Sequence, residues 1–197
     1  MKRLLYLFLF LCGSAPVFAQ NLEFGTGASF TKFSGKIYNK DHRQFVPVTT
    51  PVNLTFNVIV SGNIPLKYLK DEVVLGLNPT AGLSLFYSTV ALDVPVLATI
   101  KLGAGSSDKT DAVLGTGFGI GGQFSFFSTY LNADVAPVAY TGVMFLPVIM
   151  AETSVIFKGY NMYQIRLEIT PVPVRRINKN FVGDISQINI RLLRAFL

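Results

Sequence analysis

Hydrophobic and polar residues alternate along most of this chain with a period of two, the repeat of an extended strand whose side chains point to opposite faces. Leu54, Phe56, Val58 and Val60 alternate with Asn53, Thr55, Asn57 and Ser61. Val90, Leu92, Val94, Val96, Ala98, Ile100 and Leu102 share one face of a later segment, with Asp93, Thr99 and Lys101 on the other. The cleanest case sets Tyr163, Ile165, Leu167 and Ile169 against Gln164, Arg166, Glu168 and Thr170. Ile188, Ile190 and Leu192 likewise oppose Gln187, Asn189 and Arg191 near the end. The pattern predicts strands over 22–33, 51–62, 72–87, 89–102, 112–127, 137–157, 162–172 and 184–196. Several exceed the usual 5–6 residues of a globular strand and match the ~9–11 needed to cross a bilayer at a tilt.

The sixth segment changes phase near Pro147: Val138, Tyr140, Met144 and Leu146 hold one parity, Thr153, Val155 and Phe157 the other. A β-bulge would absorb the slip, or the segment splits in two and the count rises to nine or ten. Gly115, Gly117, Gly119 and Gly121 alternate through the fifth segment. Gly117 to Gly122 has the look of a nucleotide-binding loop, but that loop requires a strand, a turn and then a helix. Here alternation runs on to Phe124 and Phe126, so the glycines belong to a strand in which close approach or curvature is needed.

Residues 1–19 stand apart. Lys2 and Arg3 precede an apolar run, Leu4 to Leu11, and Val17-Phe18-Ala19 forms a small-residue cleavage site before Gln20. This is the layout of a secretory signal peptide, leaving residues 20–197 as one domain. Cys12 is a poor lipidation site because bulky Leu11 precedes it, and its loss with the signal leaves a mature chain without cysteine.

Composition narrows the environment. Half of the 197 residues are hydrophobic and only 14% are charged, against about 25% in soluble domains. No apolar run reaches the ~18 residues of a spanning helix. A chain that faces lipid without such helices must close a barrel, because lipid satisfies no free backbone group. The expectation is all-β: a single antiparallel up-and-down transmembrane β-barrel of about eight strands, placed in the bacterial outer membrane after signal-peptide cleavage. With the N-terminus in the periplasm, residues 34–50, 88, 128–136 and 173–183 are external and 63–71, 103–111 and 158–161 are periplasmic turns. Tyr87, Tyr140, Tyr160, Tyr163 and Phe126 fall near strand ends, where aromatic girdles form.

The residues Leu92-Asp93-Val94-Pro95-Val96-Leu97, followed by Leu114-Gly115-Thr116-Gly117-Phe118-Gly119, carry a resemblance. With the alternating strand 162–170, the chain resembles the small outer-membrane β-barrel proteins common in Bacteroidota. Ile188, Ile190, Leu192 and Phe196 resemble the barrel-assembly signal at the end of outer-membrane proteins. The resemblance implies no catalytic signature.

Parity turns Glu23, Asp93, Lys101, Arg166, Glu168 and Arg191 toward the lumen. An eight-stranded barrel is wide enough only for side chains or one small ligand. Balanced charges in so narrow a space suggest a closed, salt-bridged interior. No cofactor is implied. The lone histidine, His42, sits beside Asp41, and Ser34 lacks a nucleophile motif, so neither catalysis nor metal binding finds support. The formal charge of +6 and the basic residues Lys36, Lys40, Arg43, Arg175, Arg176 and Lys179 suit solvated loops or lipid phosphates, and export argues against nucleic acid. The expected partners are outer-membrane lipid, the barrel-assembly machinery and proteins of an envelope complex. The reading is a non-enzymatic barrel with a structural or accessory role; the rivals are a narrow channel or small apolar ligand binder, and a soluble periplasmic lipocalin-like barrel.

Overall fold

The computed structural model describes residues 21–39, 43–48, 52–86, 89–106, 112–131, 138–157, 161–177 and 181–196. The proposed signal peptide, His42, Asp41, Tyr87 and Tyr160 lie outside them. The described chain forms ten antiparallel strands: β1 (Asn21–Asn39), β2 (Gln44–Pro47), β3 (Val52–Lys70), β4 (Val73–Phe86), β5 (Thr89–Gly103), β6 (Leu114–Leu131), β7 (Val138–Phe157), β8 (Asn161–Ile169), β9 (Val174–Ile177) and β10 (Phe181–Phe196). Their order is β2-β1-β3-β4-β5-β6-β7-β8-β10-β9, and β1 also pairs with β10. That last pairing runs from Glu23↔Ala195 to Ile37↔Phe181 and closes the sheet into a barrel.

Ten strands make eight staves. β3 pairs with the lower part of β1 and β2 with its upper part, up to Asn39↔Gln44. β8 and β9 divide β10 in the same way. The gap between β8 and β9 carries Pro171 and Pro173, which have no N–H to give to a ladder. The count of ten therefore comes from interruptions in the second and seventh staves, not from a division of residues 137–157.

The β6–β7 ladder runs without a register shift from Leu114↔Val155 to Leu131↔Val138. The bulge expected near Pro147 is absent from it. Tyr140, Met144, Leu146, Val148, Met150, Glu152 and Ser154 all face inward. The inward face stays apolar past Pro147, through Val148 and Met150, and turns polar at Glu152 and Ser154. Register shifts occur instead in β3–β4, at Pro65/Lys67 and Tyr68/Lys70. They let β3 run on through residues expected as a turn, so that only Asp71 and Glu72 separate it from β4. At the opposite end, residues 34–39 and 44–47 extend the wall where a loop was expected.

Polarity sorts between the faces over the part of the barrel nearer the chain termini. Val58, Ile120 and Ile165 are each more than 60% exposed and point outward. Asn57, Asn78, Gln123, Gln164 and Arg166 are buried in the interior. A soluble barrel has the reverse arrangement, apolar inside and polar outside. The outward apolar band is about what the absence of water predicts, and the closed ladder leaves no backbone edge for lipid to satisfy.

Candidate functional site

The interior is filled in three layers. At the end where β1 begins and β10 finishes, the β5–β6 turn folds inward. Ala104 and Ser106 are buried, and Ser154 Oγ donates to the Ala104 carbonyl at 2.7 Å. Gly103 and Gly105 have φ of 69° and 80°, in the region that favours glycine. A Cβ on Gly105 would also lie 2.5 Å from Met162 Sδ. Residues Ala104 to Ser106 thus stopper this mouth of the barrel.

Above the stopper lies a charge network supplied by four staves, β1, β5, β7 and β8. Lys101 Nζ contacts Glu152 Oε1 at 2.9 Å and Glu23 Oε1 at 3.4 Å. Arg166 Nη2 contacts Glu152 Oε2 at 2.9 Å and Glu23 Oε2 at 3.0 Å. Arg166 also donates through Nε to Glu152 at 3.0 Å and through Nη1 to Asn78 Oδ1 at 2.8 Å and Ser61 Oγ at 3.2 Å. Each carboxylate therefore meets both cations. Opposite charges at this spacing, out of water, are held only when such hydrogen bonds satisfy the remaining donors and acceptors.

A second polar group continues toward the barrel middle. Gln123 Nε2 donates to Asp93 Oδ1 at 3.1 Å and to Gln187 Oε1 at 2.8 Å, and Ser125 Oγ donates to Asp93 at 2.6 Å. Arg191 Nη2 lies 2.8 Å from Glu168 Oε2, but Nε, Nη1 and Nη2 meet no acceptor with hydrogen-bond geometry. Asn189 Nδ2 donates to Glu168 Oε2 at 3.1 Å.

The outer half is apolar. Phe33, Phe127, Tyr140 and Phe181 meet with ring centroids 5.3–6.3 Å apart, the spacing of favourable tilted and edge-on pairs. Ile37, Val46, Ala91, Leu131, Met144, Leu146 and Ile185 complete the cluster. Tyr140 belongs to this inner packing and not to an exterior girdle, because its parity on β7 is inward. Tyr163 does face outward, near Phe157 at 5.9 Å and beneath the Arg194 guanidinium at 5.8 Å. Phe126 is also outward, 40% exposed.

The six charged residues expected in the lumen, Glu23, Asp93, Lys101, Arg166, Glu168 and Arg191, are all buried in the interior. Glu152 joins them; the alternation reading left it unassigned, because it lies between the two parities read on either side of Pro147. The glycines of β6 were the signal that would have found it. A Cβ at Gly117 would lie 2.7 Å from Glu152 Oε1 and 2.8 Å from its Cγ. Ser34 sits on the outer surface of β1, exposed to the outside of the wall. Among the described residues, no group of three or more His, Cys, Asp or Glu is placed to hold a metal ion.

Little space remains between the layers. A cavity bordered by Thr31, Asn53, Thr89, Asp93, Ser125 and Gln187 has about 20 Å³, near the volume that a single water needs. The arrangement fixes charges against one another.

No protein-family model matches the chain, and no curated protein does. Among solved structures, Ail, the attachment invasion locus protein of Yersinia pestis, aligns with TM-score 0.47 and 8% identity over 89% of this chain and 97% of that one. OprG from Pseudomonas aeruginosa aligns with TM-score 0.47 and 7% identity over 90% and 95%. The outer-membrane protein AlkL, determined in lipid bilayers, aligns with TM-score 0.44 and 8% identity over 90% of each chain.

Proposed function

We propose that this chain is an integral outer-membrane β-barrel without enzymatic activity, with a structural or accessory role in the envelope or in a larger outer-membrane assembly. The observation that carries this reading is the pairing of an apolar exterior with an interior filled, among the described residues, by buried side chains. The exterior asks for lipid. The interior supports a rigid body and not a conduit: the stopper at Ala104–Ser106, the ion pairs of Arg166 and Lys101, and the aromatic cluster around Tyr140 follow one another along the axis. Buried titratable groups near a reacting centre would argue for chemistry. Here the carboxylates at Glu23 and Glu152 are engaged by Lys101 and Arg166 instead.

The N- and C-terminal ends of the barrel wall lie together, with Glu23 opposite Ala195. Placing that end in the periplasm turns the β1–β2 and β9–β10 hairpins outward.

Expression in a Gram-negative host with envelope fractionation tests the placement. The protein is expected in the outer-membrane fraction, migrating differently before and after boiling. Recovery as a detergent-free periplasmic protein contradicts it. Planar-bilayer recording tests the closed interior: no steady conductance is expected, and stable nanosiemens-scale steps contradict it.

A further inference from the structure

We propose that the outer end of the wall carries a binding patch for the phosphate groups of outer-leaflet glycolipid, formed by Lys32, Lys36 and Arg175 with Ser34 and Ser186. This rests on the membrane placement above. The outward side chains of β4, β5, β6, β7 and β8 carry no charge over their whole length. Outward charge in the strands occurs at two places only among the described residues. One is the end nearest the termini, with Lys67, Lys70 and Arg194. The other is the β1, β9 and β10 sector at the opposite end.

Register assembles that second place. Lys32, Ser34 and Lys36 share the outward face of β1 and pair with Ser186, Asp184 and Val182 of β10. Asp184 pairs in turn with Arg175 of β9. Ser34, Asp184 and Arg175 therefore form one row across three strands, with Lys36 above it and Lys32 below. Arg175 balances Asp184, and the two lysines leave the patch basic. Among the described residues, neither lysine has a carboxylate within ion-pair distance.

Position selects the occupant. Immediately below lie Phe30 and Ile188, outward and 37% and 47% exposed, with Val52 of β3 level with Lys32. The basic groups thus face sideways from the wall just beyond the apolar band, at the level where lipid phosphates sit, and not upward into solvent. Ammonium, guanidinium and hydroxyl donors suit phosphate oxygens. The absence of outward charge on β4–β8 confines the contact to one side of the barrel. A basic residue at a lipid surface is worth about 1 kcal/mol, or roughly fivefold in affinity.

The test uses full-length folded protein in phosphatidylcholine nanodiscs, with bisphosphorylated lipid A as probe and native mass spectrometry as readout. Lys32→Gln/Lys36→Gln/Arg175→Gln is expected to lower lipid A retention on the order of 100-fold. Lys67→Gln/Lys70→Gln, at the other end, is expected to leave it unchanged. Lys36→Gln alone is expected to lower it about fivefold and serves if the triple variant does not fold. Dephosphorylated lipid A should bind weakly, and millimolar inorganic phosphate should not displace the lipid. Equal retention by wild type and variants, equal binding of dephosphorylated lipid A, or displacement by free phosphate would each overturn the patch. Failure of the wild type to enter nanodiscs as a heat-modifiable barrel would instead overturn the membrane placement.

Discussion

Gly117 of β6 faces Glu152 of β7 across the lumen side of their ladder, and the carboxylate occupies the space a side chain at Gly117 would fill. The contact connects the glycine stripe to the ion network. Glu152 can lie across β6 toward Lys101 of β5 only because its cross-strand partner has no Cβ, while Arg166 flanks it directly from β8. Gly117→Val forces the carboxylate aside and is expected to destabilise the barrel by about 1–3 kcal/mol. Gly82→Ala is the comparison, since a Cβ there would meet Ile59 Cγ1 at an ordinary 3.8 Å. It should stay within roughly 0.5 kcal/mol of wild type. Urea unfolding in detergent micelles, followed by the gel shift on heating, reads both.

The two buried arginines are not equivalent. Arg166 touches Glu23, Glu152, Asn78 and Ser61, whereas Arg191 has its contact with Glu168 and no hydrogen bond of good geometry. Removing one member of a well-bonded buried pair leaves the others uncompensated, at a cost of about 3–5 kcal/mol. Arg166→Met is therefore expected to lower stability by about that amount, and Arg191→Met by clearly less. Unfolding midpoints that rank the two the other way would refute the assignment of Arg166 as the centre of the network.

Much of this was legible in the residues themselves. Alternation alone put Glu23, Asp93, Lys101, Arg166, Glu168 and Arg191 on one face, because a strand offers only two and lipid accepts only the apolar one. It failed where both faces are apolar. On β7, Met144, Leu146 and Val148 fill the lumen while Val143, Phe145 and Ile149 face outward, so hydropathy could not say which side was which. Tyr140 was misplaced for that reason, and Glu152 was left unassigned. Strand ends were misread for another. Lys36, Lys67 and Lys70 resemble loop residues in composition, yet the wall continues through them as polar rims above and below the apolar band. The inward turn at Ala104–Ser106 had no period to betray it.

Among the described residues, one side-chain hydrogen bond reaches the backbone of the stopper. Ser154 Oγ donates to the Ala104 carbonyl at 2.7 Å, and Ala104 N–H donates to the Leu114 carbonyl at 3.0 Å. Ser154→Ala leaves the Ala104 carbonyl short of a buried partner, a loss of about 1–3 kcal/mol. Hydrogen exchange at Ala104, Gly105 and Ser106 should accelerate while β6 and β7 stay protected. Unchanged exchange at these amides would show that the turn is held by other contacts.

Opposite substitutions should have opposite effects on the two faces. Ile120→Arg puts a charge in the outward band and is expected to cost about 2–4 kcal/mol near the bilayer midplane. Thr99→Val replaces a buried inward hydroxyl that has no hydrogen-bond partner, so it should be neutral or stabilising. Refolding titrations into lipid vesicles measure both.

The most direct test of the sidedness of the wall is collision accessibility along β5. Nitroxide labels at Val94, Val96 and Ala98, in protein reconstituted into bilayers, report collisions with lipid-soluble oxygen and with a water-soluble nickel chelate. The structure predicts that oxygen relaxes all three strongly and the chelate does not reach them. Strong relaxation by the chelate and weak relaxation by oxygen at these positions would contradict a lipid-facing exterior.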